Sequence, residues 1–528
     1  MPLTDVAALV TAAAAEQPER LAVVEAGGRG MTWAELDVEV DRVASGLGAS
    51  GIVAGHRVMI AAGNRLEFVA TYLGVLRAQA VAVPVNPGST PAELARMVVD
   101  AGARLVVADA DTAASVREAV AAMAGWDGEG APLTPPRVVV IGVEPAPGEK
   151  SYDDLRSAAV RPVPPLPDPE KLAVLLYTGG ATARPRAAML SHRALLANIE
   201  QVAAVRPPMM HSDDVVLGVL PLFHVYGLNA VLGGVLRHRA KLVLAERFDR
   251  EGTLDLIEDE ACSVVPVAPP VFAQWQGMEA LTERLGPVRL ILSGSAPLSA
   301  ETIEAFSGQT GIPVHQGYGL TEAAPVVTST LCSADPKPGS VGAALDGIDL
   351  RLVDDDGVPL GGATADDPGE IQVRGANLFS GYWPDGSGGP DAEGWWSTGD
   401  VGFLDDAGDL YLVDRVKELV IVSGFNVYPT EVEAVVDEVP GVRQSAVIGV
   451  PDDATGEAVV AYVVADDPAA DADALRTAVE AACELNLARF KNPSRVEVVD
   501  ALPRTVTGKV QKGRLRGAER RRQRGDLL

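Results

Sequence analysis

The chain has 528 residues with 44 basic and 72 acidic side chains, a formal net charge of −28, and its length allows about three or four domain-sized units. So negative a surface opposes non-specific binding to nucleic acid or to an anionic membrane, and any anionic ligand needs a local positive site. Cys262, Cys332 and Cys483 stand far apart and fit neither a disulfide framework nor a metal spacing, which suits ordinary thiols in a reducing, cytoplasmic setting.

The apolar stretch Val6 to Ala15 follows Asp5 without a preceding basic residue, so it lacks the form of a secretory signal and reads as an amphipathic first helix. Thr32 to Leu47 has helical apolar spacing. Arg57 to Ala62 then Leu66 to Leu76 read as strand and helix, and Ala80 to Val85 as a further strand. This alternation predicts an α/β architecture with a largely parallel sheet. From Gly125 to Glu170 proline and glycine accumulate around one strand-like run, Val138 to Val143, which marks a connector.

Leu172 to Leu196 is the stretch around which the chain is organised. An apolar run reads as a buried strand, and Ser191 reads as the cap of a following helix. Between them, Gly179 and Gly180 permit close backbone approach, Thr178 and Thr182 offer hydroxyls, and Arg184 and Arg186 bring positive charge. These are the parts of a phosphate-binding loop, although a plain turn uses the same residues.

Val215 to Leu236 contains no charged residue and has the length of a membrane span. Pro221, His224, Asn229 and the Gly233-Gly234 pair interrupt it, so a buried strand, turn and helix is expected, without a membrane span. Within it lies PLFHVYG, Pro221 to Gly227, whose His224 reads either as a core histidine or as part of a substrate wall. Cys262 to Phe272 reads as a strand and a proline-stiffened turn. Val288 to Leu298 and Gln316 to Glu322 each end a strand in a small polar loop. In open α/β sheets ligands bind beyond the carboxyl ends of strands, where these loops would converge.

Short strands are expected beyond Gly339, at Gly369 to Gly375, Gly381 to Trp383 and the run ending at Asp400. At Arg415 the composition changes. Thr430 and Glu433 form a capping-box pattern, and Val432, Val435, Val436 and Val439 recur at helical spacing. Strands at Ser445 to Val450 and Ala458 to Val464, a helix over Ala472 to Leu485 and a strand near Arg495 to Val499 complete a small α+β domain. The division is therefore 1–414, with several subdomains, and 415–528. Near the end, Lys509 sits on a glycine turn that is not a Walker loop, because Val510 replaces the required hydroxyl.

Taken together, these segments resemble the adenylate-forming superfamily of acyl-CoA synthetases, peptide-synthetase adenylation domains and beetle luciferases. The resemblance spans essentially the whole chain, with six or more motifs in the family's order. It implies activation of a carboxylate by ATP to an acyl-adenylate, transfer of the acyl group to the thiol of coenzyme A, and a small C-terminal domain that rotates between the steps. Carried onto this sequence, Gly294, Ser295 and Ala296 would form the adenine-side turn and Tyr318 would stack on the base. Thr321 would hold phosphate and Glu322 magnesium, since a hard cation among phosphates favours a carboxylate oxygen. Asp400 and Arg415 would hold the ribose, Lys509 would bridge the carboxylate and the α-phosphate, Lys417 would be the hinge, Gly424 would line the pantetheine tunnel and His224 would gate the acyl pocket.

The organising loop departs from the family pattern Tyr-Thr-Ser-Gly-Thr-Thr-Gly-x-Pro-Lys-Gly. Here Gly179, Ala181, Ala183, Arg186 and Ala187 replace the serine, the first threonine, a glycine, the lysine and the last glycine, while Thr182 and Pro185 remain. Two phosphate-gripping hydroxyls are thereby lost and an ammonium becomes a bulkier guanidinium. Three readings follow: a complete acyl-CoA ligase for an apolar acid, a ligase that receives acyl-adenylate from an upstream adenylating enzyme, and a non-catalytic acid- or nucleotide-binding protein. Retention of Lys417, Gly424 and Lys509 argues against the third. With no carrier domain after Leu528, coenzyme A is the expected acceptor. The arginines at 514, 516 and 520–522 read as a helper for its phosphates or as a solvated helix end. Pairing of two copies of the chain is left open.

Overall fold

The structure is a computed structural model that describes residues 4–123, 134–161, 163–164, 168–178, 186–295, 298–354, 357–360, 368–415, 420–427, 429–467, 470–503, 510 and 512–523. The chain divides into two compact units. One comprises Met1–Pro87, Leu94–Leu176 and Ala187–Asp414, and the other Gly88–Glu93, Tyr177–Arg186 and Arg415–Leu528.

Two seven-stranded sheets dominate. One runs Val314–Gln316, Leu290–Ser293, Val264–Val267, Val215–Gly218, Lys241–Leu244, Leu21–Glu25, Gly30–Thr32. Its pairings are parallel except the last, where Leu21–Glu25 and Gly30–Thr32 form an antiparallel edge. The second runs Lys150–Ser151, Arg137–Val140, Ala103–Ala108, Arg57–Ala61, Val81–Pro84, Leu172–Thr178, Arg186–Ser191. The central strands are short runs dominated by Val, Ile, Leu and Ala and buried on both faces, as parallel strands covered by helices must be. The α/β expectation therefore holds. A third sheet, Ile348–Val353, Gly369–Gly375, Trp396–Leu404, Leu410–Arg415, is antiparallel where its pairings are described.

Helix starts follow local chemistry. Thr32 and Glu35 form a capping box that opens Trp33–Ala49, and the Ser191 hydroxyl accepts from Ala194 N–H at the head of His192–Ala204. Trp33 and Phe68 are fully buried in the large core where Trp33–Ala49 and Leu66–Arg77 pack together. The first helix, Ala8–Glu16, lies close to its expected position.

Four expectations change. The chain enters a strand, Arg186–Ser191, before the helix that Ser191 caps, because Ala187, Ala188 and Leu190 are buried as a sheet edge. The expected turn after Val264–Val267 is a helix, Pro270–Trp275, since proline is well placed at a helix start. Gly381 to Trp383 is not a strand but makes isolated bridges, Tyr382 facing Ala188. Thr430, expected at the head of its helix, stands inside it instead. The helix Pro429–Asp437 already begins at Pro429, and Glu433 turns elsewhere.

In the smaller unit a five-stranded sheet places Gly456–Ala465 between Val442–Asp452 on one side and Val420–Val422 with Arg495–Val498 on the other. Val432, Val436 and Val479 from Pro429–Asp437 and Ala472–Asn486 fill one face. Leu502 and Leu515 cover the other.

Candidate active site

Loops at the carboxyl ends of the first sheet are fastened to one another. Gln316, at the end of its strand, accepts from Leu298 N–H (3.3 Å) and donates to Ser340 O (2.8 Å), tying the loop after Ser293 to the segment that leads into the strand Ala343–Ala344. Two residues on, Tyr318 donates its hydroxyl to Asp400 Oδ2 at 2.6 Å. Thr398 in turn donates to Ile371 O and receives Asp400 N–H, which fixes the carboxylate on its strand. Two residues expected on adenine and ribose, separated by 82 positions, thus share a hydrogen bond.

Thr321 and Glu322 follow on a single 3₁₀ turn, Thr321–Ala323. Glu322 is buried, and its Oε1 accepts the Tyr382 hydroxyl at 2.7 Å. Three buried asparagines hold the chain just beyond it. Asn377 donates to Ala323 O, Asn229 to Ala324 O, and Asn198 exchanges two hydrogen bonds with Val326. Sequence reasoning missed Gln316, Tyr382 and these asparagines. Each does its work through a backbone or carboxylate partner far away in sequence, and no periodicity or local motif signals that.

The loop at Gly294 packs on the expected acyl wall. A Cβ at Gly294 would lie 2.6 Å from Tyr226 Cε1, so only glycine admits the tyrosine ring there. Ser295 adopts φ +74°. Tyr226 opens a π-helix, Tyr226–Gly233, that continues as Gly234–His238, a winding common near functional sites. Asn64 braces the approach, donating to Gly218 O, Leu220 O and Ala245 O and accepting from Leu222 N–H. His224 lies in this segment with Nδ1 3.4 Å from Tyr226 N, and burial pushes its imidazole down to about 4. It is therefore neutral at physiological pH.

Thr178 ends its strand and Arg186 opens the next. The loop between them, with Thr182, lies outside the described residues, as do Ala296, Lys417, Lys509 and the Arg415 side chain. Gly424 follows Ser423 in the tight turn joining Val420–Val422 to Phe425–Val427. Both have positive φ, +51° and +83°, as a two-residue hairpin turn requires. In the terminal helix Arg522 donates to Glu497 Oε1 at 2.8 Å, so that arginine is partly spent within the fold. Among the described residues no three His, Cys, Asp or Glu side chains form a metal cage, and no helix is long and apolar enough to cross a membrane.

The model of the AMP-binding enzyme family matches residues 10–383, and that of the AMP-binding enzyme C-terminal domain matches residues 431–509. 4-Coumarate–CoA ligase 5 of Oryza sativa subsp. japonica is 32% identical over 519 residues, 95% of this chain and 92% of that protein. ATP-bound MatB from Rhodopseudomonas palustris is 33% identical with a TM-score of 0.70, covering 97% and 98% of the two chains. The amide bond synthetase McbA from Marinactinospora thermotolerans is 28% identical with a TM-score of 0.82, covering 97% and 99%. A match of this extent, on a fold whose loops gather Tyr318 and Asp400 on the one hand and Glu322 and Tyr382 on the other, places the chain in the AMP-binding enzyme family, among the adenylate-forming acid–thiol ligases.

Proposed function

We propose that the protein joins an apolar carboxylic acid to coenzyme A through an acyl-adenylate. The observation that carries this is the Tyr318–Asp400 bond within the gathered loops, a ready-made edge for adenine and ribose. The segments taken as the acid's wall, Leu222 to Leu228 and Val264 to Phe272, contain no lysine or arginine. A second carboxylate would be left unpaired there at large cost. The similarity to a 4-coumarate–CoA ligase supports an acid of this character.

In this reading Tyr318, Asp400 and Arg415 hold the nucleoside, with Gly294, Ser295 and Ala296 beside the base. Thr178, Thr182, Arg186 and Thr321 face the phosphates. Glu322 fits a magnesium ion. It is a buried carboxylate with one oxygen fixed by Tyr382, and no other donor among the described residues reaches it. Bound there, magnesium would neutralise phosphate charge. Lys509 supplies the fixed positive charge between carboxylate and α-phosphate. Lys417 is the hinge about which the small domain turns, bringing Gly424 to the thiol's path.

The altered loop favours a second reading, in which adenylation is slow and acyl-adenylate comes from another enzyme. Each lost hydrogen bond to a charged group is worth about 1.5–3 kcal/mol, so Gly179 and Ala181 together forfeit roughly 3–6 kcal/mol. That corresponds to about a hundred- to ten-thousandfold in rate. Pyrophosphate exchange, and thioester formation from supplied acyl-adenylate, measured on one preparation, separate the two. Comparable rates establish the complete ligase, whereas fast thioester formation with negligible exchange establishes the second reading. In that case Gly179→Ser, Ala181→Thr, Ala183→Gly and Arg186→Lys together should raise exchange.

A further inference from the structure

The segment Leu378 to Trp383 touches two parts of the proposed phosphate site at once. On one side it lies along the strand that leaves the phosphate loop: Met189 N–H donates to Gly381 O (3.0 Å), Ser380 N–H to Met189 O (2.9 Å) and Trp383 N–H to Ala187 O (2.9 Å). Ala187 directly follows Arg186, the first residue of the strand after the loop. On the other side Phe379 N–H donates to Glu322 O (2.9 Å) and the Tyr382 hydroxyl to Glu322 Oε1 (2.7 Å). The tyrosine ring is held edge-on by Phe379 at 5.0 Å, and Phe379 packs edge-on to Trp396 at 5.1 Å. Tyr382 is only 4% exposed. Its hydroxyl therefore reaches Glu322 from a ring that cannot swing away.

We propose that Tyr382 is a positioning residue that aims the Glu322 carboxylate at the metal and couples that aim to the strand leaving the phosphate loop. The inference rests on the reading of Glu322 as the magnesium carboxylate. A carboxylate whose one oxygen is fixed by a neighbour presents the other in a defined direction, and loss of such an outer partner typically weakens metal binding by about ten- to a hundredfold. Because the same segment is bonded to residues 187–189, a shift of the loop's exit strand is transmitted to Glu322.

The test titrates Mg²⁺ at fixed ATP, follows nucleotide binding by calorimetry, and records melting without ligand. It uses the unmodified enzyme and the variants Tyr382→Phe, Phe379→Leu and Glu322→Gln. Tyr382→Phe keeps the ring and should raise the Mg²⁺ midpoint about tenfold, leaving Mg²⁺-free ATP binding where it was, with a modest fall in melting from the lost hydrogen bond to a buried carboxylate. Phe379→Leu removes the edge-on packing that holds the ring, and should lower melting and raise the midpoint by less than Tyr382→Phe does. A wild-type midpoint in Tyr382→Phe, or an equal loss of ATP binding with and without Mg²⁺, overturns the proposal. Glu322→Gln tells the two failures apart. If it retains the wild-type midpoint, the metal role of Glu322 falls. If it loses Mg²⁺ dependence while Tyr382→Phe does not, only the role of Tyr382 falls. Absence of any Mg²⁺ dependence in the unmodified enzyme overturns both.

Discussion

His192 heads the helix after the phosphate loop, and its Nδ1 accepts Val6 N–H at 3.2 Å while standing 3.6 Å from Asp5 Oδ1. Burial pushes this imidazole down to about 4, as it does for His224, and pushes the Asp5 carboxyl up to about 6. A histidine lowered on folding gives stability that is full above about 6.5 and lost as pH falls towards 4, with a slope of at most about 1.4 kcal/mol per pH unit. Asp5 acts oppositely, its contribution being full below about 3.8 and lost as pH rises through about 6. Two histidines outweigh one aspartate, so urea midpoints should fall between pH 6.5 and 4. Asp5→Asn, which removes the opposing term, should make that fall steeper, and an unchanged profile would contradict the assignment. At Gly294 the expectation is steric. Gly294→Ala pushes on the Tyr226 ring at a cost of about 1–3 kcal/mol, and should raise KM for the acid by more than KM for ATP, read from initial rates with each substrate varied in turn.

At the scale of elements, the smaller unit shows how a residue released from one local role serves a longer-range one. The helix Pro429–Asp437 starts too early for Glu433 to close a capping box. Its Oε1 instead accepts Val447 N–H at 2.6 Å and the Lys512 ammonium at 2.7 Å. Val447 belongs to Val442–Asp452, the edge strand of its sheet, whose outward N–H groups need cover. Glu433 thus joins a helix, an edge strand and the terminal helix Lys512–Gln523, whose Glu519 also receives the Tyr462 hydroxyl and Arg495. Removing the shared acceptor by Glu433→Ala should destabilise the unit by about 1–3 kcal/mol, seen as a lower denaturation midpoint, whereas Glu438→Ala one turn on should change little.

For the whole molecule the chemistry depends on joining distant segments. The two sheets interleave the chain, as when Leu21–Glu25 pairs with Lys241–Leu244, so the site loops come from positions hundreds of residues apart. The rates of the two half-reactions are the measurement at this scale. They report whether the loop substitutions at Gly179 and Ala181 limit the complete cycle or only its first step, and the fourfold restoration of the loop assigns the cause.

Strand and helix positions were legible in the sequence wherever apolar periodicity and a cap agreed, as at Thr32 with Glu35 and at Ser191. The family was legible because its motifs are contiguous and occur in order, and the matches at residues 10–383 and 431–509 agree with that reading. Tertiary structure decided what local pattern leaves open: that Arg186–Ser191 is a strand, that Glu433 serves an edge strand rather than a cap, and that Tyr382 reaches Glu322. The physical reason is the same in each case. Local sequence sets which conformations a segment prefers, but a buried polar group must find its partner wherever the fold brings one, and that partner is chosen by packing across the whole chain.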